Sequence, residues 1–190
     1  MKRFFTLEYW EDDGKTWKKS NIIDLGKYGG YGDHGGGCEA AIVELTDGRI
    51  WMLLRTPRGR FSEAFSADQG LTWTDIRPAK IEASSSPGVL QRLASGRIML
   101  AWNRFAPGRP KRIGRREQLS VAFSEDDGKT WSDPVVVAQN RTPEGEKPQY
   151  YRVSYPSVFE YEPGVVWITA SQGGARLILR EQDFTGGSAD

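Results

Sequence analysis

The sequence is poor in the residues that build disulfides and metal centres. Its 190 residues include one cysteine, Cys38, and one histidine, His34. A single thiol excludes an internal disulfide, and clusters of Cys and His at metal-ligand spacing are absent. We expect Cys38 to be a small buried side chain rather than a reactive thiol.

A surplus of one charge and a long apolar run are missing too. The 26 Lys and Arg residues balance 25 Asp and Glu residues, for a formal net charge of +1. That balance argues against a dedicated nucleic-acid surface. No apolar run approaches the length of a membrane span, and the opening MKRFFTLEYWEDD is too polar, too early, for a signal peptide. We therefore expect neither nucleic acid nor a membrane as a partner.

Helical periodicity is also absent, since no segment carries ten or more residues at helical spacing. Short segments rich in β-branched and aromatic residues alternate with the turn signals TDGR, ASGR and EPG. The segments are AAIVEL, RIWMLLRT, GVLQRLA, RIMLAWN, QLSVAFS, PVVVA, SYPSVFEY and VVWITAS. With seven Trp residues and 38% hydrophobic residues, a packed core is feasible, and the sequence predicts an all-β fold.

One turn occurs three times, at residues 10–17, 66–73 and 124–131, as WEDDGKTW, SADQGLTW and SEDDGKTW. Asp, Gly, Thr and Trp keep fixed offsets in all three copies. The copies are 56 and 58 residues apart, and a regular period of this length indicates a repeated supersecondary unit. In each period a strand leads into Asp-Gly-Arg or Ser-Gly-Arg, a second strand follows, a third enters the repeated turn and a fourth leaves it. Four antiparallel strands per period are typical of a β-propeller blade.

The repeated turn is expected to be structural rather than catalytic. Asp accepts hydrogen bonds from nearby backbone N–H groups, Gly permits positive φ, and Trp buries its ring between sheets. We therefore expect Trp17, Trp73 and Trp131 to be buried. Three copies on outer turns cannot all face one site, so their Asp residues are neither catalytic carboxylates nor calcium ligands in this interpretation.

The repeated turn is the Asp box, and over roughly residues 4–184 the chain resembles sialidases (neuraminidases) of the BNR Asp-box type. The resemblance implies a six-bladed β-propeller, of which residues 1–190 would form one partial domain of about three four-stranded blades. It also implies an exo-alpha-sialidase type of glycoside hydrolase that acts on terminal acidic sugars. No metal or organic cofactor is implied.

The same resemblance assigns four site residues. Tyr155, in SYPSV, would be the nucleophile, and Glu39, in GGGCEAA, would be its base. A phenol with a pKa of about 10 is a poor nucleophile at neutral pH unless a base helps it. Arg55 and Arg116 would bind the substrate carboxylate, since each guanidinium can meet it in a bidentate fork. Arg115 is a weaker alternative to Arg116.

Further candidates for ligand contacts lie at or near strand ends. They are Arg92, Asn103, Arg104 and Arg176, together with Asp33 and His34 at the mouth of the site. Tyr150, Tyr151 and Tyr161 are expected to be buried strand residues.

The sequence departs from the family in the half of the site that supplies the general acid. The family's N-terminal arginine motif is absent, and no early Asp stands in for the general acid. Either a longer protein supplies the missing N-terminal blades, or two chains associate as a homodimer, since a half-propeller would expose sheet faces and edge strands. The alternative function is a non-catalytic Asp-box propeller that binds glycans or serves as an assembly module.

Overall fold

The computed structural model describes residues 6–9, 12–25, 38–105, 111, 113–140 and 152–184. Thirteen strands and one 3-10 helix, Glu181–Phe184, lie in these residues. The strands are β1 (Glu8–Tyr9), β2 (Lys18–Lys19), β3 (Cys38–Glu44), β4 (Ile50–Arg55), β5 (Arg60–Ser66), β6 (Thr74–Glu82), β7 (Val89–Arg92), β8 (Ile98–Trp102), β9 (Gln118–Ser124), β10 (Val135–Gln139), β11 (Ser154–Glu162), β12 (Val165–Gln172) and β13 (Arg176–Arg180). No helix among the described residues has the length and apolarity to span a membrane.

The strands form four antiparallel sheets in chain order, which we call blades 1 to 4. Blade 1 is β1-β2, blade 2 is β3-β4-β5-β6, blade 3 is β7-β8-β9-β10 and blade 4 is β11-β12-β13. The innermost strands β3, β7 and β11 lie beside one another, as they do around a propeller axis. The prediction of an all-β chain with about three four-stranded propeller blades is confirmed for the described residues, which form two four-stranded blades, one sheet of three strands and one of two.

The core lies between the blades, because blades 2 and 3 pack one face on the preceding blade and the other on the following blade. The central strands β4 (IWMLLR) and β8 (IMLAW) have apolar residues in succession, and most are buried. Such continuous apolar runs suit strands that are covered on both faces. In β12 (VVWITASQ), by contrast, buried and exposed residues alternate, so blade 4 is covered on one face.

The three Asp boxes share one geometry. In the third, the Asp126 carboxylate accepts the Thr130 backbone N–H at 2.8 Å and the Thr130 hydroxyl at 2.6 Å. Asp127 and Gly128 follow with φ of 58° and 80°. These hydrogen bonds lower the pKa of Asp126 to about 2. The carboxylate is therefore committed to its own turn, as expected of a structural residue.

The prediction that all three box tryptophans are buried is wrong for Trp17. Trp73 is 3% exposed and Trp131 is half-buried, whereas Trp17 is 61% exposed. Trp131 packs on the preceding blade, since its ring centre lies 6.3 Å from that of Trp51 in blade 2. Among the described residues no blade precedes blade 1, so Trp17 has no such surface to cover it.

Candidate functional site

Tyr155, Glu39 and Arg55 meet where the beginnings of β3 and β11 lie close to the end of β4. The Tyr155 hydroxyl donates to the Glu39 carboxylate at 2.9 Å. The Arg55 guanidinium donates to the other Glu39 oxygen at 2.5 Å and to the Tyr155 oxygen at 3.2 Å. The phenol thus has a proton acceptor and a cation in direct contact, from residues 116 and 100 positions away in the sequence.

Local backbone geometry orients the side chains of Glu39 and Tyr155 toward each other. Glu39 and Tyr155 have φ of 50° and 59°, in the left-handed region that residues other than Gly rarely adopt. Glu39 also lies in an irregularity of the β3–β4 register, between Cys38 and Ala41. Such conformations cost on the order of 1–3 kcal/mol and cluster at functional sites. In β3 and in β11, therefore, the second residue is strained and its side chain enters the cluster.

Arg116 completes the cluster from the β8–β9 connection, and Ser85 positions both arginines. The Arg116 guanidinium lies 5.4 Å from the centre of the Tyr155 ring and donates to the Ser85 carbonyl at 2.8 and 3.1 Å. The Ser85 hydroxyl accepts from Arg55 at 3.2 Å. The Gln172 amide oxygen accepts from Arg116 at 3.3 Å. Ser85 and Gln172 were missed from the sequence, because neither lies in a motif.

The two arginines differ in their electrostatics. Burial disfavours the charged form of Arg55, but its hydrogen bonds to Glu39 and Tyr155 outweigh that effect and raise the pKa of Arg55. For Arg116, burial and the repulsion from Arg55 lower the pKa, although a guanidinium stays charged at neutral pH. Two neighbouring cations with one carboxylate between them leave positive charge for an anionic ligand.

Asn103 lies beneath the cluster rather than inside it. It is 1% exposed, and its amide NH2 donates to the Gln118 and Val153 carbonyls at 2.7 and 2.8 Å. Its amide oxygen accepts from the Ser86 hydroxyl at 2.7 Å, and its backbone carbonyl accepts from the Ser84 N–H at 2.9 Å. Asn103 thereby ties the loop that carries Ser85 to the strand that carries Tyr155, with no polar atom left for a ligand.

Arg92 does not join the cluster. Its guanidinium binds the Asp127 carboxylate at 2.7 Å and the carbonyls of Glu44 and Gly96 at 2.7 Å. These groups belong to the turns and the Asp box at the other end of the strands, so Arg92 links blade 3 to blade 2.

The remaining candidate residues lie either elsewhere in the structure or outside the described residues. His34 and Asp33, like Tyr150 and Tyr151, lie outside the described residues. Arg115 pairs with Glu117 at 3.7 Å. Two burial predictions are wrong: Cys38 is exposed because it begins an innermost strand at the sheet edge, and Tyr161 is 60% exposed because it lies on the uncovered face of blade 4.

No group of three or more metal-ligating side chains is found among the described residues. The site consists of a tyrosine, a carboxylate and two guanidinium groups, with Ser85 and Gln172 as supports. It is suited to bind an anion and to remove a proton from the phenol.

The model of a protein family described as the BNR repeat-like domain matches residues 4–168 of the chain. No curated protein matches the sequence.

Solved structures resemble the chain at low sequence identity. A NanB sialidase from Streptococcus pneumoniae is 20% identical, with a TM-score of 0.68 over 96% of this chain and 28% of its own. An intramolecular trans-sialidase from Ruminococcus gnavus is 20% identical, with a TM-score of 0.56 over 91% of this chain and 36% of its own. A Trypanosoma rangeli sialidase is 18% identical, with a TM-score of 0.52 over 93% of this chain and 27% of its own.

These likenesses show the fold. The chain is part of a sialidase-type β-propeller, as predicted, and it spans about a third or less of the length of these three structures.

Proposed function

Since the chain belongs to the BNR repeat-like domain family, we propose that it carries the nucleophile half of a sialidase-like glycoside hydrolase site for terminal acidic sugars. The observation that carries the proposal is the 2.9 Å hydrogen bond from the Tyr155 hydroxyl to the Glu39 carboxylate, beside two guanidinium groups. The likeness to sialidase structures supports it.

The substrate carboxylate would bind between Arg55 and Arg116. Charge-assisted hydrogen bonds from guanidinium to carboxylate are short and strong. Because Glu39 pairs with Arg55 at 2.5 Å, an incoming carboxylate competes with Glu39 for that guanidinium. Ser85 and Gln172 hold Arg116 in place from behind, so its orientation costs little on binding.

The phenol is the proposed nucleophile. Glu39 takes the Tyr155 proton as the phenolic oxygen bonds to the anomeric carbon, and the glycosidic oxygen leaves with the bonding pair. Water then cleaves the tyrosyl–sugar bond. A neutral phenol avoids the repulsion that a carboxylate nucleophile would meet from an anionic sugar, and sialidases are exceptions to the two-carboxylate pattern. The leaving oxygen needs a proton from an acid, which further blades of a longer chain or a second copy would supply.

The test is turnover of a fluorogenic sialoside by the purified chain. Tyr155→Phe removes the nucleophile and should abolish release of the fluorophore, whereas Tyr161→Phe, far from Glu39 on the face of blade 4, should leave it unchanged. Turnover by the unsubstituted chain that Tyr155→Phe leaves undiminished would contradict the proposal.

A second candidate, a glycan-binding propeller without catalysis, is favoured by one observation. In the described residues no Asp contacts the Tyr155 cluster, so an acid for the leaving group is missing there. This function predicts binding of free sialic acid that Arg116→Ala weakens, together with no turnover by the unsubstituted chain. Calorimetric titration with sialic acid separates the two functions.

A further inference from the structure

The two arginines of the cluster differ in the charge of the groups that they contact. Arg55 donates to a carboxylate, that of Glu39. Arg116 donates from Nε and Nη2 to the Ser85 carbonyl and from Nη1 to the side-chain oxygen of Gln172. Both of these acceptors are uncharged. The positive charge of Arg55 is therefore compensated by its partner, whereas the partners of Arg116 fix its orientation and leave its charge.

The charged groups that face Arg116 do not compensate it either. The side chain is buried, and burial, followed by the repulsion from Arg55, lowers its pKa. The Tyr155 phenol raises that pKa, and Arg152 lowers it. Among the described residues, the groups that act most on this guanidinium are thus two cations and a phenol, without a carboxylate. An anion that reaches Arg116 meets a charge that is not yet paired.

The side-chain oxygen of Gln172 has a second donor. The Ser154 hydroxyl donates to it at 2.6 Å, and Ser154 directly precedes the proposed nucleophile, Tyr155. An amide oxygen accepts two hydrogen bonds, so Ser154 and Arg116 use its full capacity. A single atom of Gln172 therefore fixes the guanidinium relative to the strand that carries the phenol.

A close approach of two backbone segments brings Gln172 to this place. Ser154 and Gln172 are register partners in β11 and β12. At the next residue, Gly173, φ is +91° and a Cβ would lie 2.1 Å from the Arg152 carbonyl oxygen. Glycine alone adopts such a φ freely and leaves room for a backbone this close. The end of β12 is therefore held against the segment that leads into Tyr155.

We infer that Gln172 is a positioning residue that holds Arg116 beside Tyr155 and leaves the charge of Arg116 uncompensated for the carboxylate of a ligand. The role in ligand binding rests on the proposed function. A carboxylate in place of the amide would accept the same hydrogen bonds, but it would pair with Arg116 and compete with the ligand. An apolar side chain would leave the charge and release the guanidinium. A neutral acceptor does neither.

Calorimetric titration with free sialic acid tests the inference, because binding needs no acid for a leaving group. Gln172→Glu should weaken binding about tenfold or more at pH 7, since the introduced carboxylate pairs with the guanidinium that the ligand needs. The gap to the unsubstituted chain should narrow as pH falls, because protonation restores a neutral acceptor. Gln172→Leu should weaken binding by a factor that stays constant with pH, because it adds no titratable group.

Gln69→Glu is the matched control for the added charge. Gln69 is exposed in the second Asp box, at the position where the other two boxes have Asp13 and Asp127. This variant should bind sialic acid as the unsubstituted chain does. Circular dichroism of all three variants shows whether each is folded.

NMR without sialic acid tests the positioning separately from the proposed function. The introduced carboxyl of Gln172→Glu should titrate well below the ordinary glutamate pKa of about 4.3, because Arg116 favours its charged form. In Gln172→Leu, the guanidinium of Arg116 should rotate faster than in the unsubstituted chain.

An introduced carboxyl with an ordinary pKa would overturn the inference. So would sialic acid binding at pH 7 that Gln172→Glu leaves intact. An unsubstituted chain that binds no sialic acid would contradict the proposed function instead, and the two NMR measurements would then decide whether Gln172 positions Arg116.

Discussion

The side-chain amide of Asn103 shows how a buried polar residue shapes a site without touching a ligand. Its hydrogen bonds reach Ser86, Gln118 and Val153, so it connects the arginine-holding loop to the strand of Tyr155. The sequence predicted Asn103 near the site from its position at a strand end. Its role as a buried connector could not be predicted, because that role depends on hydrogen-bond partners in other segments of the chain.

Asn103→Ala should lower the free energy of unfolding by about 3 kcal/mol, since unsatisfied buried groups cost about 1–3 kcal/mol each. Gln91→Ala, which removes a half-buried amide with one hydrogen bond at 2.9 Å, should cost less than about 1 kcal/mol. Urea denaturation of the two variants measures the difference. Similar losses in both would show that the Asn103 network is not needed.

Asp126 supplies a pH-dependent contribution to stability. The Thr130 hydroxyl, then its N–H, lower the pKa of Asp126 to about 2, against about 3.9 in an unfolded chain. A carboxyl with a depressed folded pKa stabilises the fold above the unfolded pKa, and that contribution is lost as pH falls from about 4 through about 2.

Thr130→Val should therefore raise the pKa of Asp126 toward its ordinary value, as carboxyl NMR titration would show. The variant should melt below the unsubstituted chain at pH 7, and the gap should close near pH 2. Thr72→Val is the matched control. The main cause of the lowered pKa of Asp68 is the backbone N–H of Thr72, which the substitution keeps, so the pKa of Asp68 should change little. An unchanged Asp126 titration in Thr130→Val would contradict the assignment.

At the scale of elements, the second and third Asp boxes link their own blades to the blade before. The clamp in blade 3 depends on a glycine: a Cβ at Gly128 would lie 2.5 Å from the Trp51 ring, and its φ is +80°. Gly14 has nearly the same φ, +78°, with open space around it. The two glycines therefore separate the cost of the conformation from the cost of the contact.

Gly14→Ala should destabilise the protein by about 1 kcal/mol, the cost of a left-handed residue with a Cβ. Gly128→Ala should cost about 1–3 kcal/mol more, because overpacking displaces the Trp51 ring. Thermal denaturation of both variants gives the comparison. Equal melting temperatures would mean that the Trp51–box contact is loose.

The strands and their grouping could be predicted because they depend on local signals, namely alternating apolar segments and repeated turns. The burial of Trp17 and Tyr161 could not, because it depends on whether a neighbouring blade covers them. The cluster of Tyr155, Glu39, Arg55 and Arg116 was predicted from the family resemblance, and the structure brings these four together. Ser85 and Gln172 could not be predicted, because a serine in a loop and a glutamine at a strand end carry no sequence signal.

At the scale of the molecule, cover on both faces should set local stability. All five residues of β8 in blade 3 are buried, whereas β13 in blade 4 alternates exposed and half-buried residues. Local opening is easiest where few apolar contacts hold an element. Amide hydrogen exchange should therefore be slowest in β8 and faster by orders of magnitude in β13. Uniform protection across the two strands would contradict this gradient.

The clamps between blades also impose an order in time. The turn at Thr46 is closed by Asp127, 81 residues later, and the turn at Ala94 by Glu160, 66 residues later. At roughly 5–20 residues per second of synthesis, the Thr46 turn of blade 2 waits about 4–16 seconds on the ribosome before Asp127 has been made. During that interval Trp51 lacks the tryptophan that covers it, so the nascent chain is most vulnerable to misassociation while its third Asp box is still untranslated.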